Sequence, residues 1–149
     1  AFGKASNIVH NDFATDADWS RSSDERLKKN ISDAPLGLSF INDLRTVTYN
    51  WKPNHELDSS DSELAHLYKE DEADNLMNTT ATMHGFIAQE VKTALDTAGV
   101  DTFGGWQEDQ HGVQQIAKAA FVIPLVKAVQ ELSAQVTALQ AEVNTLKGG

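Results

Sequence analysis

The stretch LVKAVQELSAQVTALQAEVNTLK, residues 125–147, carries the most regular pattern in the sequence. Leu125, Val129, Leu132, Val136, Leu139, Val143 and Leu146 follow one another at alternating spacings of four and three. That is a heptad seam with valine at a and leucine at d, and it predicts a helix that buries its stripe against copies of itself. The simpler alternative is a single amphipathic helix packed on its own domain; strict Val/Leu alternation favours self-association. The flanking e and g positions, Ala128, Ser133, Gln135, Gln140, Glu142 and Lys147, carry little charge and so give little control of register or partner. Valine at a with leucine at d does not choose between two and three strands. Pro124 fits a first helical turn, where its missing N–H costs little. The coiled coil is therefore placed at 124–147, with a separate apolar helix expected upstream in GVQQIAKAAFV.

Outward from this helix the pattern becomes mixed. In HGFIAQEVKTALDTAGV, residues 84–100, Val91, Leu95 and Ala98 share a helix face that Gly99 closes, with a short strand expected around Phe86 and Ile87. DTFGGWQEDQHG, residues 101–112, reads as a loop or hairpin turning at Gly104–Gly105. In LGLSFINDLRTVTYNWKP, residues 36–53, Leu38, Ile41 and Leu44 recur at helical spacing, then Val47, Tyr49 and Trp51 alternate with polar residues up to Pro53. Residues 1–22, with isolated Phe13 and Trp19, read as short strands and turns too small to fold alone. The fold class expected is α+β: a small mixed helix/strand domain ending in a coiled-coil helix.

Composition narrows the function. The chain has 149 residues, no cysteine and a net charge of −10. There is no disulfide, thiolate metal site or cysteine nucleophile. The acidic surface repels phosphate backbones, so no nucleic-acid partner is expected. The absence of 18 consecutive apolar residues argues against a membrane partner. A start on alanine points to a piece of something longer. Residues 54–83 hold eight carboxylates against Lys69 alone, −7 of the net charge, and read as an inserted, solvated and mobile arm. His10, His55, His66, His84 and His111 lack metal-ligand spacing, so no metal or other cofactor is expected. Trp19, Trp51 and Trp106 read as packing residues.

One polar stretch stands apart, SSDERLKKN at residues 22–30. A polar turn or helix start is the bland reading. The sharper one is a nucleophile with its base. A serine hydroxyl needs a base to take its proton, and lysine serves when burial or neighbouring positive charge makes its ammonium unfavourable. Arg26 and Lys29 flank Lys28 closely enough to help. Spacing alone is a weak signal, since most such pairs lie on surfaces.

The wording of the motif adds to this. Ser23, Asp24, Arg26 and Lys28 in SDERLKKNI resemble the Ser-Asp-x-Arg-x-Lys signature that opens the intramolecular chaperone domain at the C-terminus of bacteriophage tailspikes, endosialidases and tail fibres, the S74 peptidase family. The resemblance continues in INDLRTVTYNWKP, in HGFIAQEV and in IPLVKAVQELSAQVTALQAEV, covering about residues 23–52, 84–98 and 113–147. It implies a homotrimer that helps its own upstream β-rich passenger to fold and then cuts itself off. Residues 1–22 would be the end of the passenger and residues 23–149 the chaperone. The scissile bond would be Ser22–Ser23, with Ser23 the nucleophile and Lys28 the general base of a single-turnover endopeptidase. Ser22 fits the motif less well as nucleophile. Asp24, Arg26, Gln89 and Glu90 are candidate supporting residues, and the acidic arm would grip the folding passenger. The setting implied is a virion tail precursor in the host cytoplasm. The contrasting expectation is a trimeric cap or receptor-binding tip that keeps the fold without the cleavage.

Overall fold

The structure, a computed structural model, describes residues 2–4, 7–10, 14 and 19–148. Phe13 lies outside these. The chain divides into two compact units, Ala1–Asp33 and Ala34–Gly149.

The first unit is a small antiparallel sheet with a tail. Strands β1 (Phe2–Lys4), β2 (Asn7–His10) and β3 (Ser20–Arg21) lie in that order. Phe2 pairs with Val9 across β1 and β2, and Val9 with Arg21 across β2 and β3. The chain leaves β3 directly into Ser22, forms a 3-10 turn at Glu25–Leu27 and passes Asn30 in the left-handed region at φ 54°. Asparagine tolerates that conformation better than most residues.

The second unit is α+β, as expected. Its helices are α1 (Leu38–Asn42), α2 (Ala88–Ala98) and α3 (Val122–Gly148). β4 (Val47–Tyr49) pairs antiparallel with β5 (Met83–Gly85), and β6 (Trp106–Glu108) with β7 (Gln114–Ile116). Leu36, Phe40, Val91, Ala94, Leu95 and Phe121 form the core. Phe121 is its centre: it stacks on Phe86 at 5.0 Å and meets Phe103 edge-on at 5.1 Å. Such aromatic pairs add about 0.5–1.5 kcal/mol each beyond area burial. Gly99 ends α2 in the left-handed conformation at φ 66°, where a side chain would be strained.

Several expectations need correction. The helix in residues 38–44 is a single short turn whose buried residue is Phe40; Leu38, Ile41 and Leu44 are half-buried around it. In α2, Ala94 takes the core position expected of Ala98, which is exposed. The hairpin turns at Asp109–Val113, after Gly104–Gly105, because the Asp109 carboxylate accepts from the His111 and Val113 amides and Gly112 supplies φ 92°. No separate helix precedes Pro124. Its residues form β7 and a 3-10 turn at Lys118–Phe121 that runs straight into α3. Trp106 packs on the core, but Trp19 and Trp51 are 49% and 44% exposed.

Residues 54–83 form a folded loop closed on Asn54, which is 7% exposed. The Asn54 amide nitrogen donates to the Leu67 carbonyl at 2.8 Å, its oxygen accepts from the Leu76 amide at 3.0 Å, and its own N–H reaches Asn75 Oδ1 at 3.3 Å. The loop also meets the β6–β7 hairpin. His66 stacks on His111 at 3.9 Å, and a Cβ at Gly112 would come within 2.8 Å of the Glu63 side chain.

Helix α3 joins the domain only at its start. Pro124 and Ala128 are buried, and Glu131 reaches back to α1, where its carboxylate accepts from the Leu38 amide at 2.7 Å. That anion caps the N-terminus of α1. A Cβ at position 37 would lie 2.6 Å from the Glu131 oxygens and would push that carboxylate aside. From Leu132 onward every described residue of α3 is exposed. By length and composition α3 is also apolar enough to cross a membrane, which a count of consecutive apolar residues does not register. Its apolar residues form a stripe beside Gln130, Glu131, Gln135, Gln140 and Glu142.

Candidate active site

The 3-10 turn at Glu25–Leu27 organises the motif residues. Asp24 precedes the turn in an extended conformation, and its Oδ1 accepts from the Arg26 amide at 2.9 Å, a side-chain cap. The Leu27 amide bonds to the Asp24 carbonyl at 3.1 Å and the Lys28 amide to the Glu25 carbonyl at 2.9 Å. This tight reversal folds Lys28 back toward the residue before the cap. Lys28 Nζ donates to Ser23 Oγ at 2.7 Å. Ser22, Ser23 and Lys28 are all exposed.

Arg26 turns back on the cap. Its Nε donates to Asp24 Oδ1 at 2.9 Å and its Nη2 to Oδ2 at 2.7 Å, a bidentate clamp. The Arg26 side-chain bonds hold the Asp24 carboxyl below its ordinary range, with its backbone amide second and the charge of Lys28 a smaller contribution. Four motif residues thus meet in one turn of six residues: Ser23, Asp24, Arg26 and Lys28.

Gln89 and Glu90 stand in the second unit, at the start of α2. Glu90 is taken by Arg45, whose Nε donates to Oε2 at 3.0 Å and whose Nη2 meets the other oxygen. The Arg45 side-chain bond lowers the Glu90 carboxyl from its ordinary value. Gln89 is exposed, and its carbonyl accepts from Thr93 Oγ1 at 3.0 Å.

No group of three or more metal-ligating side chains occurs among the described residues. The His66–His111 stack was not predictable from spacing, since the two lie in different loops. Lys118 is also missed by sequence reasoning: its Nζ donates to the His84 carbonyl at 2.5 Å, tying the 3-10 turn before α3 to β5.

The seam residues of α3 are all uncovered, from 39% exposure at Val143 to 81% at Leu146. The face that packs on the domain is a different one, carrying Pro124, Ala128 and Glu131.

Residues 23–100 match the family model Peptidase S74, described as chaperone of endosialidase. The chain belongs to that family. No curated protein matches the chain. The family span opens on Ser23, the residue that Lys28 contacts, and closes at Val100, directly after the Gly99 cap of α2. It takes in the motif turn, α1, the β4–β5 pair, the acidic loop and α2. The β6–β7 hairpin and α3 lie beyond it.

Proposed function

We propose that residues 23–149 are an intramolecular chaperone that trimerises, assists the folding of an upstream β-rich phage fibre or tailspike, and then releases itself by cutting Ser22–Ser23. The observation that carries this reading is the 2.7 Å contact between Lys28 Nζ and Ser23 Oγ, at the first residue of the family match. Lys28, once neutral, takes the Ser23 hydroxyl proton. Ser23 Oγ then attacks the Ser22 carbonyl carbon. The Ser22–Ser23 C–N bond breaks as the Ser23 nitrogen takes the proton back from Lys28, leaving an ester between the Ser22 acyl group and Ser23 Oγ. Water hydrolyses the ester. The passenger ends in a Ser22 carboxylate and the chaperone begins with a free Ser23 amine.

A base at the surface keeps its proton more readily than one packed away from water. Both members of the pair are exposed in the single chain, which fits a site that becomes competent only on assembly. Trimerisation through the α3 seam supplies that step: seven exposed apolar side chains on a helix face turned away from its own domain need a partner in water. On this reading the chain is part of a virion tail precursor in the host cytoplasm.

The decisive experiment is mass spectrometry of the purified chain. A fragment beginning at Ser23, lost in Ser23→Ala and in Lys28→Met, is the expected result; the same fragment from Ser23→Ala sinks the assignment. Val136→Asp with Leu139→Asp places charge in the seam and yields monomers by light scattering. These monomers process slowly if assembly completes the site, and cleavage at the parent rate in a verified monomer refutes the coupling. The exposure of Ser23 and Lys28 favours a second reading, a non-cleaving trimeric cap or receptor-binding tip, which predicts an intact trimer and no fragment.

A further inference from the structure

We propose that Arg26 keeps Lys28 available as a base by cancelling the charge of Asp24, a positioning role that rests on the Ser23–Lys28 reading above. The motif contains an electrostatic conflict. The turn needs a side-chain oxygen at position 24 to cap it, and Asp24 supplies one. That carboxylate stands on the residue directly after Ser23, whose Oγ Lys28 Nζ contacts at 2.7 Å, so carboxylate and amine share one six-residue turn. A carboxylate beside an amine favours the protonated amine, the opposite of what a general base requires.

Arg26 resolves the conflict without removing the cap. Its guanidinium, charged at every accessible pH, engages both carboxylate oxygens: Nε on Oδ1 and Nη2 on Oδ2. Its backbone amide meanwhile occupies the capping lone pair on Oδ1. The carboxylate is thus fully used within the turn and Lys28 Nζ is left to Ser23 Oγ. Among the described residues, the other charged neighbours of Lys28 in sequence are Glu25 and Lys29 on its own segment and Arg21 at the end of β3.

The test separates charge from structure and does not depend on cleavage. In a full-length Ser23→Ala chain, the rate at which acetic anhydride acylates the Lys28 amine is measured against Lys147 by mass spectrometry at pH 8. Arg26→Met slows Lys28 labelling about two- to fivefold at low salt, the range of an exposed ion pair. Adding Asp24→Asn restores the parent rate, because asparagine keeps the capping oxygen and lacks the charge. In 1 M salt the difference between parent and Arg26→Met shrinks. With Ser23 present, the rising limb of the cleavage rate against pH moves to higher pH in Arg26→Met and returns in the double variant. Labelling unchanged in Arg26→Met, or a double variant as slow as the single, overturns the proposal. Labelling that behaves as expected in a chain that never cleaves leaves the Asp24–Arg26 compensation standing and removes the dyad reading instead.

Discussion

The motif turn and the acidic loop look alike as sequence, both short on apolar residues and rich in charge, yet they are built on opposite principles. Every contact in the turn joins residues two to five apart, from the Asp24–Arg26 clamp to the Lys28–Ser23 bond. The loop closes through Asn54, whose partners Leu67, Asn75 and Leu76 lie 13, 21 and 22 residues away. The turn is exposed throughout and its interactions are of the kind worth little to global stability. The loop hides a polar side chain, and an unsatisfied buried amide is costly. The proposed chemistry therefore sits in a segment whose exposed contacts contribute little to stability, while the segment that resembles a solvated tail closes on a buried polar side chain.

Substitutions can break this contrast in either direction. The largest expected effect is on processing: Lys28→Met removes it entirely while the thermal midpoint, read by circular dichroism, stays where it was, since surface substitutions usually lie within about 0.5 kcal/mol. A marked fall in the midpoint would show that the turn is structural after all. Next is Asn54→Ala, expected to destabilise the second unit by about 1–3 kcal/mol through orphaned partners, with faster hydrogen exchange at the Leu76 amide. Exchange left unchanged there would mean the loop is held by other contacts.

Asp24→Ala should loosen the turn by removing the oxygen that caps it, and slow cleavage. Asp24→Asn should keep the turn. The comparison is made by exchange at the Arg26 amide, the donor to the cap.

The smallest effect is on pH. Asp109 sits below its ordinary carboxylate range, chiefly through the His111 amide and also through the Val113 amide and the charges of His111 and His66. Asp58 is lowered in the same direction by the Ser60 hydroxyl, then its amide. A depressed carboxylate stabilises the fold above its unfolded value of about 3.9, and that contribution is lost as pH falls through the folded value. Thermal midpoints should therefore fall between pH 5 and pH 3, and fall less in Asp109→Asn. An equal fall in both chains would place the acid sensitivity elsewhere.

How much was legible follows from the same contrast. The Gly99 cap and the apolar stripe of α3 depend on residues near in sequence, so spacing reveals them; the Ser23–Lys28 contact is a weak signal by spacing and is legible through the wording of the motif. The class of fold was readable because hydrophobic period switches visibly between strands and helices. The Asn54 hub, the Glu131 cap on α1 and the stacking of His66 on His111 bring together residues from distant segments, and no local pattern marks them. The hairpin turn was misplaced because the glycine pair at 104–105 is the louder turn signal, while the operative one is an aspartate accepting two backbone amides. Glu90, a candidate for the site, is accounted for by Arg45, a partner 45 residues away.

The first compact unit runs to Asp33, eleven residues past the bond proposed to break. Residues 23–33 fall within the same unit as strands β1 to β3, although every one of them is exposed. The proposed cut after Ser22 would therefore break the backbone inside a unit, and bond cleavage need not coincide with separation of the pieces. Gel filtration under native conditions and denaturing electrophoresis would date the two events separately.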